Sequence, residues 1–264
     1  MESSCSQQTM NGKQERNWSN MRNVRLDISY DGTRYKGWQR LAGCENTIQG
    51  KLEQVLSRLL NEDIEVIGSG RTDAGTHAQG QVANFHCKSD MPCQDILSGL
   101  RTYLPEDIGI ISCKNVSERF HARLNAKEKT YRYRLWNGEK PCVFERKYVY
   151  IDRDELDVTK MHEAAQAFVG THDFSAFCGN KHFKKSTVRA IKSFDVIETK
   201  DEILFTVTGN GFLQHMVRIM VGTLLEVGKG QRAVENVPLL FGAERSLAGP
   251  AVPSSGLCLM EVEY

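Results

Sequence analysis

The sequence of 264 residues lacks the features that mark membrane proteins, secreted proteins and folds held together by zinc. No apolar run approaches the length of a membrane span. Residues 1–20 are polar and lack the apolar centre of a signal peptide. The eight cysteines are scattered and form no C-x-x-C pair, which argues against structural zinc and is typical of reduced thiols in the cytosol. We therefore expect a cytoplasmic protein with no membrane span, no metal and no other cofactor.

A strong charge of one sign is also missing, because 34 Lys and Arg oppose 33 Asp and Glu. Any polyanionic partner must therefore be inferred from local patches. Residues 120–150 carry eight basic side chains against three acids, and residues 181–192 carry five basic side chains and no acid. Two such clusters in a near-neutral chain suggest a surface that follows a phosphate backbone. The basic residues are Arg123, Lys127, Lys129, Arg132, Arg134, Lys140, Arg146, Lys147, Lys181, Lys184, Lys185, Arg189 and Lys192.

Hydrophobic periodicity divides the chain into two halves with the same order of elements. In the first half it predicts, in order, a strand over 24–30, a helix over 48–60, strands over 64–67 and 81–86, a helix over 93–103 and a strand over 109–114. Asn46 and Thr47 offer the side-chain oxygen that caps the first helix. This half therefore has the order βαββαβ.

The second half repeats that order. It predicts a strand over 130–136, a helix over 155–169, strands over 188–197 and 203–208, an apolar helix over 212–227 and a strand over 257–262. Asp154 can cap the helix that follows it, and Gly170 and Gly228 can end the two helices. Each half is thus a ferredoxin-like split unit.

These patterns predict an α+β fold in which two ferredoxin-like βαββαβ units form one continuous, mainly antiparallel sheet. Helices back this sheet, and its other face stays open to a ligand. We divide the chain into a disordered tail over residues 1–21, an N-terminal unit over 22–120 and a C-terminal unit over 121–264.

A glycine-rich loop over residues 68–80 separates two predicted strands and contains Asp73. On local composition the loop reads equally as a surface turn in which Asp73 bonds its own backbone. No Gly-Lys-Ser/Thr follows, so a P-loop is excluded. A metal site would have only Asp73 and His77 as ligands. A catalytic interpretation gains from Arg71, whose guanidinium can keep a nearby buried carboxylate ionised for nucleophilic attack.

The run Gly70-Arg71-Thr72-Asp73-Ala74-Gly75-Thr76-His77-Ala78, followed by Gly80-Gln81-Val82, resembles the active-site motif of the TruA family of tRNA pseudouridine synthases. That motif usually has valine where this chain has Thr76. The resemblance covers essentially residues 22–264. It implies the pseudouridine synthase fold, with Asp73 as the nucleophile and Arg71 either filling the gap left by the target base or binding a nearby phosphate.

Three further segments extend the resemblance and imply roles for their residues. Thr130-Tyr131-Arg132-Tyr133 implies that Tyr131 stacks on the target base or assists proton movement, whereas Tyr133 is by default half-buried in the sheet. Residues 209–218 imply that Arg218 pairs with Asp73, while His215 is structural or faces a phosphate. Residues 255–259 imply that Leu257 packs against the flipped base, although tyrosine is common where this chain has Cys258.

The resemblance therefore implies an isomerase that converts uridine to pseudouridine at positions 38–40 of tRNA, in the anticodon stem-loop, and works as a homodimer without a cofactor. Two other classes remain open. A catalytically silent RNA-binding module would need the basic clusters and Tyr131, but not Asp73 with Arg218. An unrelated ferredoxin-like metabolic enzyme would use Asp73 and His77 to hydrolyse a small substrate.

Overall fold

A computed structural model describes residues 21–264, so the tail predicted over 1–21 lies, except for Met21, outside the described residues. The described chain contains ten strands and four α-helices. In chain order they are β1 (Arg22–Tyr30), α1 (Ile48–Leu60), β2 (Ile67–Gly68), β3 (His77–Cys87), α2 (Cys93–Tyr103), β4 (Ile108–Val116), β5 (Glu128–Trp136), β6 (Tyr150–Ile151), α3 (Val158–Gln166), β7 (Gly170–Asp173), β8 (Val188–Glu198), β9 (Glu202–Gly209), α4 (Met216–Gly228) and β10 (Leu257–Glu263).

All the strands belong to a single sheet, in the order β4-β1-β3-β10-β5-β9-β8-β7, with β2 attached to β3 and β6 to β5. Neighbours along this path are antiparallel except β3 and β10, which are parallel. In each half the last strand pairs with the first, the first with the third, and the third with the second, which is the ferredoxin-like arrangement. The predicted fold class is confirmed, whereas the division at residue 120 stays a prediction.

The parallel contact between β3 and β10 joins the two halves and is short. Only two residue pairs form it, Cys258 with His77 and Leu259 with Ala78. Beyond this contact the first half contributes the loop before β3, and the second half contributes the turn over 254–256 before β10. The junction therefore leaves room for a cavity between the halves.

The alternation of β5 decides which side chains reach that cavity. Tyr131, Tyr133 and Leu135 are buried on one face of the strand, while Arg132 and Arg134 lie on the other, as the period of two predicts. Tyr133 is fully buried, packs edge-on against Phe205 and donates its hydroxyl to the carbonyl of Pro253, so it belongs to the core.

The second strand of the first half differs from the prediction. Residues 64–66 do not pair as a strand, and only Ile67 and Gly68 join the sheet. Side chains of α1 satisfy this segment instead, because Ser57 accepts from the amide of Ile64 and Glu53 accepts from the amide of Val66. An apolar run therefore predicted burial correctly but strand pairing wrongly.

Helix boundaries in the second half also differ from the prediction. Helix α3 is shorter than 155–169 because Asp157, not Asp154, caps it, while Asp154 pairs with Lys229. Helix α4 begins at Met216 and not at residue 212, because His215 adopts a left-handed backbone conformation that a helix cannot include. Gly170 begins strand β7, which the sequence did not predict; β6 was not predicted either.

Candidate active site

A cavity of about 690 Å³ lies where the two halves meet and contains all five of the predicted site residues. This volume is within the range of pockets that hold nucleotide-sized ligands. The cavity opens on the Tyr131 face of β5, next to the start of α4, and not on the face of Arg132 and Arg134. The expectation that the helix-free face holds a ligand stays a prediction, because a smaller cavity of about 410 Å³ lies on the face of Arg132 and Arg134. The predicted residues in the lining are Arg71, Asp73, Tyr131, Arg218 and Leu257.

The loop that bears Asp73 is held on both sides of the aspartate. The carbonyl of Thr72 accepts from the amide of Trp38 at 3.0 Å, and the hydroxyl of Thr72 bonds that of Tyr30 at 2.8 Å. Gln81 donates to the carbonyl of Gly70 at 3.0 Å. Because these partners are buried, the loop behaves as part of the core and presents Asp73 from a fixed backbone.

The carboxylate of Asp73 is held by one of its two oxygens. Nη1 of Arg218 lies 3.2 Å from Oδ2, and Nε of Arg218 donates to the carbonyl of Val252 at 2.7 Å. Both side chains are mostly buried. No residue between 21 and 264 bonds Oδ1, so that oxygen faces the cavity. The aspartate bonds Arg218 and not its own backbone, which is the opposite of the surface-turn interpretation.

Arg71 and His77 lie close to Asp73 in the sequence, but neither bonds its carboxylate. Arg71 is exposed at the cavity and makes no hydrogen bond or ion pair with other described residues. His77 points to the far side of the loop, where its Nδ1 lies 3.2 Å from Asp31 and accepts from the amide of Gly32. Burial lowers the pKa of His77 despite the charge of Asp31. Asp73 and His77 therefore do not form a common site.

Tyr131 forms an aromatic wall of the cavity together with Phe212. Their rings meet edge to face, with centroids 5.2 Å apart. Burial raises the pKa of the Tyr131 phenol, and the charge of Asp73 raises it further, so the phenol stays protonated. Leu257 is a diagonal neighbour of Tyr131 on the adjacent strand β10. Tyr131 and Leu257 thus both contribute apolar atoms to the cavity wall.

Comparisons with known proteins identify the family of the chain. The family model described as "tRNA pseudouridine synthase" matches residues 28–125 and 164–264. The chain belongs to the tRNA pseudouridine synthase family. It is 47% identical over 245 residues to "tRNA pseudouridine synthase A 1" of Clostridium tetani (strain Massachusetts / E88), an alignment that spans 92% of this chain and 100% of the relative. It is 46% identical, with the same coverage, to "tRNA pseudouridine synthase A 2" of Bacillus anthracis.

Structural similarity to solved proteins is weaker. A chain of the "Crystal Structure of a Cbf5-Nop10-Gar1 Complex" aligns with a TM-score of 0.38 and 11% identity, over 89% of this chain and 48% of that chain. A TM-score of 0.38 supports no conclusion about this chain.

The charge around the site is strongly positive. Six Lys or Arg side chains line the cavity, and Asp73 is the only carboxylate among the lining residues. Part of the predicted basic surface lies elsewhere, because Lys192 pairs with Glu128 and Arg134 pairs with Glu145 and Glu202. The six cationic lining residues are Lys36, Arg71, Arg123, Lys129, Arg189 and Arg218.

Lys129 is a site residue that the sequence analysis treated only as one charge of a cluster. Its ammonium donates to the carbonyl of Ser69, at the start of the Asp73 loop. Burial, reinforced by the charge of Arg123, lowers the pKa of Lys129 to about 8. The signal was present in the sequence, because the period of two puts Lys129 on the same strand face as Tyr131.

Neither a membrane span nor a metal centre is seen over residues 21–264. No helix in this part of the chain is long and apolar enough to cross a bilayer. Three or more His, Cys, Asp or Glu side chains with a geometry suited to a metal ion occur nowhere in it.

Proposed function

We propose that this protein converts uridine to pseudouridine in tRNA, at positions 38–40 of the anticodon stem-loop, with Asp73 as the nucleophile. The observation that carries the proposal is the state of the Asp73 carboxylate. Arg218 holds Oδ2, while Oδ1 is open to a cavity that fits a nucleotide. A desolvated carboxylate fixed beside a guanidinium is the arrangement that covalent catalysis by Asp requires.

The target base has to leave its stack to reach Asp73, at a cost of a few kcal/mol. In our proposal the flipped ring lies against Tyr131 and Leu257, and stacking on Tyr131 contributes about 1–3 kcal/mol toward that cost. Arg71 is exposed and without a described partner, so its guanidinium is available to fill the gap left by the base or to bind a phosphate.

The reaction balances within the substrate. The bond from N1 of uracil to C1′ of ribose breaks, a bond from C5 to C1′ forms, C5 releases its proton to solvent and N1 takes up a proton. No electron is gained or lost, so the isomerisation needs no redox partner. Asp73 supplies the nucleophile, Arg218 orients it through Oδ2, and the protonated phenol of Tyr131 lies beside the ring.

We further propose a homodimer in the cytoplasm. Pairing two chains concentrates the basic side chains of a near-neutral protein along one shared cleft, which suits a polyanion. Seven cysteines among the described residues are free thiols, which suits a reducing compartment. Light scattering tests the dimer, which should give twice the chain mass of 29.8 kDa.

The decisive experiment uses tRNA that carries tritium at C5 of uridine, because C5 loses its hydrogen when it bonds to C1′. We expect wild type to release tritium and to form pseudouridine, and D73N to bind the same tRNA without releasing any. The matched control is D90N, which removes an exposed carboxylate far from the cavity lining and should release tritium at the wild-type rate.

Other outcomes distinguish the competing functions. Binding of tRNA by wild type without product would identify a silent RNA-binding module, and no binding at all would favour an enzyme that acts on a small substrate. A tRNA variant with cytidine in place of any uridine at positions 38, 39 and 40 tests the proposed positions. Product that is unchanged when all three are replaced would refute them.

A further inference from the structure

His215 has a left-handed backbone conformation that is uncommon for residues other than glycine. It is one of only two non-glycine residues between 21 and 264 with a positive φ, at 60°; the other is Asn61, at 54°. Asn61 ends helix α1, a position where the left-handed conformation is common and where asparagine tolerates it well. Histidine also occurs in this conformation more often than most residues, so the left-handed turn before α4 matters for where it directs the ring and not for strain.

The imidazole of His215 lies between two fixed groups. Its Nε2 is 3.6 Å from Oδ2 of Asp73, and about a third of the side chain is exposed. On the other side the ring packs against Gly179, where an added Cβ would lie 2.5 Å from Nδ1. The amide of Gly179 also donates to the carbonyl of Gln214 at 2.8 Å. The left-handed turn therefore directs the ring at the carboxylate and not outward to a phosphate.

His215 and Arg218 approach the same oxygen of Asp73. Nη1 of Arg218 is 3.2 Å from Oδ2, so the two nitrogen-bearing side chains, one turn apart at the start of α4, flank that oxygen. Oδ1 has no bonding partner among the described residues. A separation of 3.6 Å is longer than a hydrogen bond, and contacts of this kind tighten when substrate fills an active site.

From this geometry we propose that His215 is a positioning residue for Asp73, an inference that rests on the proposed role of Asp73. Nε2 of His215 donates to Oδ2 and, with Arg218, fixes the rotation of the carboxylate so that Oδ1 points at the flipped base. In this role His215 acts through Asp73, so we expect it to affect the rate of reaction and not the affinity for tRNA.

The test compares H215G with N61G, the same change at the other left-handed residue. Glycine adopts the left-handed conformation readily at both positions, so we expect both variants to keep the fold. We expect H215G to lower the single-turnover rate of pseudouridine formation about 10- to 100-fold, the effect of a misplaced reactive group, with an unchanged Kd for tRNA. N61G should keep both the rate and the Kd.

H215Q and H215N keep the inference falsifiable if H215G does not fold. The amide of glutamine can reach about as far as Nε2, so H215Q should recover part of the rate, whereas the shorter H215N should not. A wild-type rate in H215G would refute the positioning role. A weaker Kd with an unchanged single-turnover rate would assign His215 to a phosphate instead. Failure of the proposed function itself appears separately, as product formation by D73N or no product from wild type.

Discussion

The two halves of the sheet have the same topology, yet they contribute differently to the site. In the first half β2 is reduced to two residues, whereas its counterpart in the second half, β8, has eleven. The shortened strand leaves residues 69–76 as a loop that carries Asp73 into the cavity. The second half keeps regular elements and supplies Tyr131, Arg218 and Leu257 from two strands and a helix. One copy of a repeated unit thus provides the reactive group, and the other provides its surroundings.

Because the second half supplies Arg218, the partner of Asp73, we expect removal of Arg218 to cause the largest loss of catalytic rate. R218M leaves a mostly buried carboxylate without its guanidinium and should lower the single-turnover rate about 100-fold or more. The free energy of unfolding should fall by about 1–3 kcal/mol, because the bond to Val252 is also lost. R232M is the control, since Arg232 pairs with Glu226 outside the cavity lining. Equal rates in the two variants would contradict the pairing.

The next prediction concerns how the first half holds its loop. Gly37 has φ of +96°, and an added Cβ would lie 2.7 Å from the carbonyl oxygen of Thr72. G37A should therefore shift the loop and lower the rate about 10- to 100-fold. Gly43 has φ of +72° but open space around it, so G43A should cost only the backbone strain, about 1 kcal/mol, with no loss of rate. Single-turnover rates and thermal melts of both variants measure these effects. An equal loss of rate in G43A and G37A would contradict the proposed contact between Gly37 and the loop.

We expect a smaller effect on RNA binding from substitution of the two tyrosines that share one face of β5. Y131L removes the stacking surface and should weaken binding of the target stem-loop about 10-fold, since one stacked base contributes about 1–3 kcal/mol. Y133F removes only the hydrogen bond to Pro253 and should lower the free energy of unfolding by about 1 kcal/mol without changing affinity. Fluorescence titration with the stem-loop compares them. Unchanged affinity in Y131L would remove the residue from the proposed site.

The smallest predicted effect depends on pH and on Lys129. Because burial lowers its pKa to about 8, Lys129 loses its charge between pH 7 and pH 9, and affinity for tRNA should fall several-fold over that range. K129R stays charged and should keep its affinity, apart from the drift common to all variants.

Stability should change in the opposite sense. Between pH 8 and pH 10 the unfolded chain binds a proton at Lys129 that the folded protein does not, so unfolding becomes less favourable as pH rises. Thermal melts of wild type and K129M at pH 7 and pH 10 measure this. From pH 7 to pH 10 the melting temperature of wild type should rise relative to that of K129M. No relative rise, or a relative fall, would contradict the lowered pKa of Lys129.

The sequence predicted features that depend on local signals more accurately than features that depend on distant contacts. Helices α1 and α2 have the predicted limits, because apolar spacing and the Thr47 cap are local signals. Strand β2 was predicted too long because its apolar run is buried without pairing, with α1 satisfying its amides. Helix α4 was begun four residues early because nothing in the spacing of 212–215 reveals a left-handed residue.

The sequence by itself determined the repeated order of elements, the alternating faces of β5 and the glycine-rich loop, because each depends on residues close together in the chain. The family resemblance of residues 209–218 already implied that Arg218 contacts Asp73. Only the tertiary structure decided that Arg71 does not, that His215 faces the same oxygen as Arg218 and that Lys129 lies beneath the loop. These contacts join residues as many as 145 positions apart. They exist because two separately patterned halves meet along the short parallel contact of β3 and β10, which no local signal encodes.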